Sequence, residues 1–115
     1  MNEILTYLTE KQHEMVETLR DVVEMESPSN IKEMTDQMAG FIASLFEKLT
    51  GGKASIIPND QYGNHIRGEW GSGEEQILIL AHFDTVWKKG TIESMPFHIE
   101  DDKAYGPGIF DMKGG

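Results

Sequence analysis

The sequence predicts an α/β fold, a sandwich in which two helices precede a mixed sheet. Three observations predict it. Apolar residues recur at helical spacing up to Gly51-Gly52, and the period then turns extended. Beyond that, a continuous apolar run, Ile77-Leu-Ile-Leu-Ala81, leads into loops rich in Gly, His and Asp.

The first helix is expected from about Asn2 to Met25. Ile4, Leu8, Met15, Leu19 and Val22 form its apolar stripe, with Leu5, Val16 and Val23 beside them. Ser27-Pro28-Ser29-Asn30 ends it, because Pro28 lacks a donor and disfavours helix at Ser27. Ser29 or Asn30 then caps a second helix, with Glu33 in its first turn. Ile31, Met34, Met38, Phe41, Ile42, Leu45 and Leu49 give that helix its buried stripe, and Gly51-Gly52 stops it. Two short strands follow, Ala54 to Ile57 and His65 to Trp70, joined by turns at Asn59-Asp60 and Gly63-Asn64. Gln76 to His82 has the length and uniform apolarity of a strand buried on both faces of a sheet. Phe97 to Glu100 and Ala104-Tyr105 form a hairpin around Asp101-Asp102. Trp70 and Trp87 are expected to be packing residues, with Trp87 near the rim of the site.

Composition narrows the function. Twenty acidic and ten basic residues give a formal charge of -10, which argues against nucleic acid and anionic membranes as partners. Without cysteine, any metal must be held by His and carboxylate. The first ten residues have no basic segment and no unbroken apolar core, and the longest apolar run is too short to span a bilayer. A cytoplasmic protein is expected.

Chemistry concentrates where the apolar run stops. His82 and Asp84 are two residues apart, so in extended geometry they share a face and the carboxylate reaches the imidazole. A metal-bound His often donates its second ring N–H to such a group, though a purely structural pair has the same pattern. Asp111 follows Gly106-Pro-Gly108 and precedes Met112-Lys-Gly-Gly115, where a helix has room to begin. It reads either as a carboxylate able to bridge two divalent cations or as a helix N-cap. Lys113 offsets nearby negative charge or is simply solvated. His13 is expected to be solvated on a mostly polar helix, and His65 and His98 to sit on strands away from the site's turns, with no acidic partner at ligand spacing.

Taken together, Ile79-Leu-Ala-His82-Phe-Asp84-Thr-Val86, Met95-Pro-Phe97, Tyr105-Gly-Pro-Gly108 and Asp111-Met-Lys-Gly-Gly115 resemble the co-catalytic two-zinc aminoacylase and carboxypeptidase family. Glu26-Ser-Pro-Ser29 also resembles a family feature. The resemblance implies that His82 is a zinc ligand, that Asp84 orients it in a catalytic role, and that Asp111 bridges two zinc ions. It further implies a cis peptide between Asp111 and Met112. Pro107 between the turn glycines, with Lys89-Gly90 upstream, looks more like the glutamate carboxypeptidase branch than the deacylases of acetylornithine or succinyl-diaminopimelate.

In the family the general base and remaining ligands follow the Asp-Met-Lys-Gly-Gly motif. Residues 1–115 are therefore expected to be the N-terminal part of an α/β/α catalytic domain, incomplete and inactive alone. The lid and dimerisation domain and the rest of the catalytic domain would lie outside it. The implied whole is a homodimer acting on a peptide or acyl-amino-acid substrate. A non-catalytic binding remnant, using the acidic surface or a sheet edge, is the reading from another class.

Overall fold

The computed structural model describes residues 2–115. Helix α1 spans Asn2–Glu24 and helix α2 spans Lys32–Thr50, on either side of the break at Pro28. Gly51 closes α2 in the left-handed conformation (φ 70°), and its N–H bonds the Glu47 carbonyl at 2.9 Å. No side chain caps the start of α2. Ile31 occupies that position, so neither Ser29 nor Asn30 has the capping role expected of it.

The strands form two separate antiparallel hairpins rather than one sheet. Strand β1 (Lys53–Ile57) pairs with β2 (His65–Glu69), from Lys53 opposite Glu69 to Ile57 opposite His65. Asn59 shapes the intervening loop by accepting the N–H groups of Gln61 and Tyr62 at 2.9 and 2.8 Å. Helix α2 packs against this hairpin. After the one-turn helix α3 (Thr91–Ser94), strands β3 (His98–Glu100) and β4 (Lys103–Tyr105) form the second hairpin. Asp101 and Asp102 turn it with φ of 51° and 61°, the left-handed pair that a two-residue hairpin loop requires.

The expected central strand differs. Residues 76–82 pair with no other segment among the described residues, and Ile77, Leu78, Ile79 and Leu80 are 80–94% exposed. An apolar run is buried only where another layer covers it, and both hairpins lie elsewhere. The α1 stripe is open for the same reason: Val23 is its one fully buried residue, while Ile4, Leu5, Leu8 and Met15 are exposed. Trp70 is exposed as well, not packed. The core gathers instead around Val23, Met38, Ala39 and Phe97, together with the buried Ser27, Pro28, Thr35 and Thr85. Among the described residues no helix is long and apolar enough to cross a membrane.

Candidate metal centre

The break between the helices builds one wall of the site. Ser27 and Ser29 flank the buried Pro28, and their backbones pair with the segment after residue 82 in parallel fashion, Pro28 bridging Thr85. The Thr85 N–H donates to the Ser27 carbonyl at 2.8 Å and the Ser29 N–H to the Thr85 carbonyl at 2.9 Å. The Ser27 hydroxyl donates to the Phe83 carbonyl at 2.7 Å. Residues 83–85 are thus fixed by bonds from a segment more than fifty positions earlier.

The Tyr105-Gly-Pro-Gly108 turn builds the opposite wall. Gly108 has φ 82°, and a Cβ there would stand 2.6 Å from the Thr85 Cγ2, so the position demands glycine on both counts. Residues 109–113 close a tight turn through Lys113 N–H to Gly108 O and Gly114 N–H to Ile109 O, both 2.9 Å. A helix does not begin here: Asp111 and Met112 have non-helical backbone angles, and the Asp111–Met112 peptide is cis, as the resemblance implies.

Between the walls, His82, Asp84 and Asp111 come together. The His82 Nε2 lies 2.9 Å from the Asp111 Oδ1. Its Nδ1 faces the main-chain carbonyl of Asp84 at 3.1 Å and the Asp84 Oδ1 at 3.3 Å. The expected contact between this imidazole and carboxylate is present, with the carbonyl of the same residue sharing it. An Nδ1–H directed at Asp84 leaves the Nε2 lone pair pointing at a carboxylate oxygen. Two acceptors at 2.9 Å repel unless a proton or a cation lies between them. The Asp111 carboxylate accordingly raises the His82 pKa above its ordinary value, opposed by desolvation and assisted by the Asp84 carbonyl. The Nε2 and the Asp111 carboxylate are a donor pair suited to a divalent cation, and in that respect the residues fit a metal. They make two ligands of the three or more that zinc requires, and no cluster of three His, Asp or Glu suited to a metal occurs among the described residues.

Two neighbours make contacts that their sequence positions do not foretell. Glu26 receives the Gly90 N–H at 2.9 and 3.0 Å and the Ile92 N–H at 3.3 Å, fastening the loop that leads into α3. Nothing local signals this, because the partners lie 64 to 66 residues away. Lys113 does not float in solvent; of the two roles expected of it, offsetting nearby negative charge is present in part, toward Glu26. Its ammonium donates to the Val22 and Met25 carbonyls at 2.9 and 3.0 Å, at the C-terminal end of α1. Burial pushes its pKa down to about 8, partly offset by the charge of Glu26. Val23, Glu26, Thr85, Trp87, Pro107 and Lys113 surround a small cavity at this junction; Trp87 is exposed there rather than packed as expected.

The other histidines stand apart. His13 and His65 are exposed, and His98 stacks on Tyr105 with ring centroids 4.7 Å apart; contrary to expectation, His98 does have a nearby carboxylate, its Nε2 lying 3.9 Å from the Glu100 Oε2.

No protein-family model matches the chain. Individual proteins do. The chain is 33% identical over 119 aligned residues to carboxypeptidase G2 of Pseudomonas sp. (strain RS-16), an alignment covering 99% of the chain and 28% of that protein. It is 31% identical to a protein of Staphylococcus aureus (strain MRSA252) named probable succinyl-diaminopimelate desuccinylase, over 96% of the chain and 27% of that protein. The chain therefore spans somewhat more than a quarter of the length of either relative.

Proposed function

We propose that this chain, a relative of the aminoacylase and carboxypeptidase hydrolases, forms the N-terminal part of the catalytic domain of a zinc-dependent carboxypeptidase. The observation that carries the reading is the convergence of the His82 Nε2 and the Asp111 Oδ1 at 2.9 Å, with Asp84 on the other ring nitrogen. His82 would hold zinc through Nε2, and Asp111 would bridge two ions through its carboxylate. Zinc supplies Lewis-acid polarisation of a bound water and of the scissile amide carbonyl. The chain's own residues prepare for this. Asp84 keeps the His82 proton on Nδ1 and so leaves Nε2 available. The Gly108 turn brings Asp111 opposite it. With two ligands among the described residues, the chain by itself is expected to bind metal weakly and to lack activity.

The substrate reading is removal of a C-terminal glutamate-type residue. Its support is the Tyr105-Gly-Pro-Gly108 turn, with Pro107 buried beside the site, and the similarity to carboxypeptidase G2. A second reading, amide deacylation of an acylated amino acid, is favoured by the similarity to the protein named a desuccinylase. The whole protein is taken to be a cytoplasmic homodimer. The full-length protein that carries this chain should be assayed for bound zinc and for release of C-terminal glutamate against release of acetate or succinate. Glutamate release that a chelator abolishes and zinc restores supports the first reading, and acyl release the second. Metal-independent hydrolysis, or none, would contradict both.

A further inference from the structure

We propose that Ser29 is a positioning residue for the metal centre, acting through Asp84 on the orientation of His82; the proposal rests on the metal-site reading above. The Ser29 Oγ lies 2.5 Å from the Asp84 Oδ2 and 3.0 Å from the Thr85 carbonyl oxygen. A hydroxyl carries a single proton, and the closer, charged acceptor takes it. Both oxygens of Asp84 are then engaged, Oδ2 by Ser29 and Oδ1 beside the His82 Nδ1 at 3.3 Å. Asp84 is half exposed, so without Ser29 its carboxylate would be free to rotate and exchange partners with water.

The backbone makes this arrangement specific. The bonds joining 27–29 to 83–85 set the register that places Ser29 opposite Asp84. The serine side chain has no competing local duty, because Ile31 holds the N-cap position of α2 and no side chain caps that helix. The Ser29 hydroxyl bonds neither His82 nor Asp111; it holds the residue that holds the ligand. Outer partners of this kind change metal affinity by about 10–100-fold when removed.

The test uses the full-length protein with Ser29→Ala, Ser29→Thr, Ser29→Cys, Asp84→Asn and the double variant Ser29→Ala/Asp84→Asn. Zinc affinity is measured by competition with a chelator. The His82 tautomer is read from ring ¹⁵N shifts of the metal-free protein at a pH where the ring is neutral. Ser29→Ala is expected to weaken zinc binding about tenfold and to erode the Nδ1–H tautomer. Ser29→Thr should restore both, since it keeps the hydroxyl. In the Asp84→Asn background, Ser29→Ala should cost nothing further. If Ser29→Ala fails to fold, Ser29→Cys carries the test, because it keeps the size and backbone bonds but is only a weak donor. Wild-type affinity and tautomer in Ser29→Ala, or a loss that adds in full to that of Asp84→Asn, would overturn the proposal. Should the wild type bind no zinc, the functional reading falls, and the tautomer measurement still decides the role of Ser29.

Discussion

The ammonium of Lys113 lies 3.0 Å from the carbonyl oxygen of Met25, tying the turn that carries Asp111 to the end of the first helix. The second bond, to Val22, makes the tie bidentate. Hydrogen bonds from a charged donor contribute about 1.5–3 kcal/mol each. Here they are opposed by a desolvation cost large enough to bring the lysine pKa down to about 8. Burying the ammonium offsets part of the gain from these bonds, so the lysine fixes the position of the turn more than it adds stability. Lys113→Met should therefore change the unfolding free energy by only about 1 kcal/mol, while accelerating amide hydrogen exchange at Gly114 and Gly115. Unchanged exchange there would contradict the role of Lys113 as an anchor.

Gly108→Ala should be far more damaging than Gly51→Ala. Both glycines have positive φ, and the left-handed backbone costs a non-glycine residue about 1–2 kcal/mol. A Cβ at position 51 meets nothing within 4 Å, whereas at 108 it would stand 2.6 Å from the Thr85 side chain. Overpacking adds about 1–3 kcal/mol. Urea unfolding should show losses of about 1 kcal/mol for Gly51→Ala and about 2–5 kcal/mol for Gly108→Ala. Equal losses would mean that the Thr85 contact yields freely.

Asp36 gives the fold an acid-sensitive joint. Its carboxylate accepts the Asn64 N–H at 2.8 Å and pairs with Lys32 at 2.9 Å, and these hold its pKa below the ordinary aspartate value, the Asn64 bond contributing most. A depressed folded-state pKa means that the unfolded chain binds the proton more readily. The stabilisation is thus complete above the unfolded pKa and disappears as pH falls through the folded value. Asp36→Asn should flatten the pH dependence of unfolding below about pH 4, near the ordinary aspartate pKa. An identical acid limb in the variant would exclude this contribution.

The exposed run Ile77–Leu80 should make the 115-residue chain associate, since unpaired apolar segments of this kind recruit further strands. Sedimentation velocity should reveal concentration-dependent oligomers, reduced by the double substitution Leu78→Lys/Leu80→Lys. A monodisperse monomer at high concentration would refute the expectation.

Local chemistry made much of the fold legible. The helix break at Pro28, the stop at Gly51, both hairpins and the Asp101-Asp102 turn depend on neighbours within a few positions, and the structure has all of them. What failed depended on distant partners. Ser29 carried a helix-capping signature that is valid locally, yet Asp84, 55 residues away, claims its hydroxyl. The burial expected of residues 76–82 required a covering layer that their own composition cannot specify. His82 and Asp84 were readable as a pair from strand periodicity. Their meeting with Asp111 came only from the resemblance, because no spacing rule joins positions 29 residues apart.

The bridge between Pro28 and Thr85 also governs the order of events during folding. The bonds that Ser29 makes beside it, to Asp84 and Thr85, close loops of 55 and 56 residues, at an entropic cost of about 3.5 kcal/mol before any constant term. The helices and both hairpins need no such closure, so they can form early and leave the site unmade. Helical content is thus a poor gauge of maturity in this molecule. A chain with most of its secondary structure in place still has His82 and Asp84 on an untethered segment, and the proposed ion site is assembled only once this long-range closure is made.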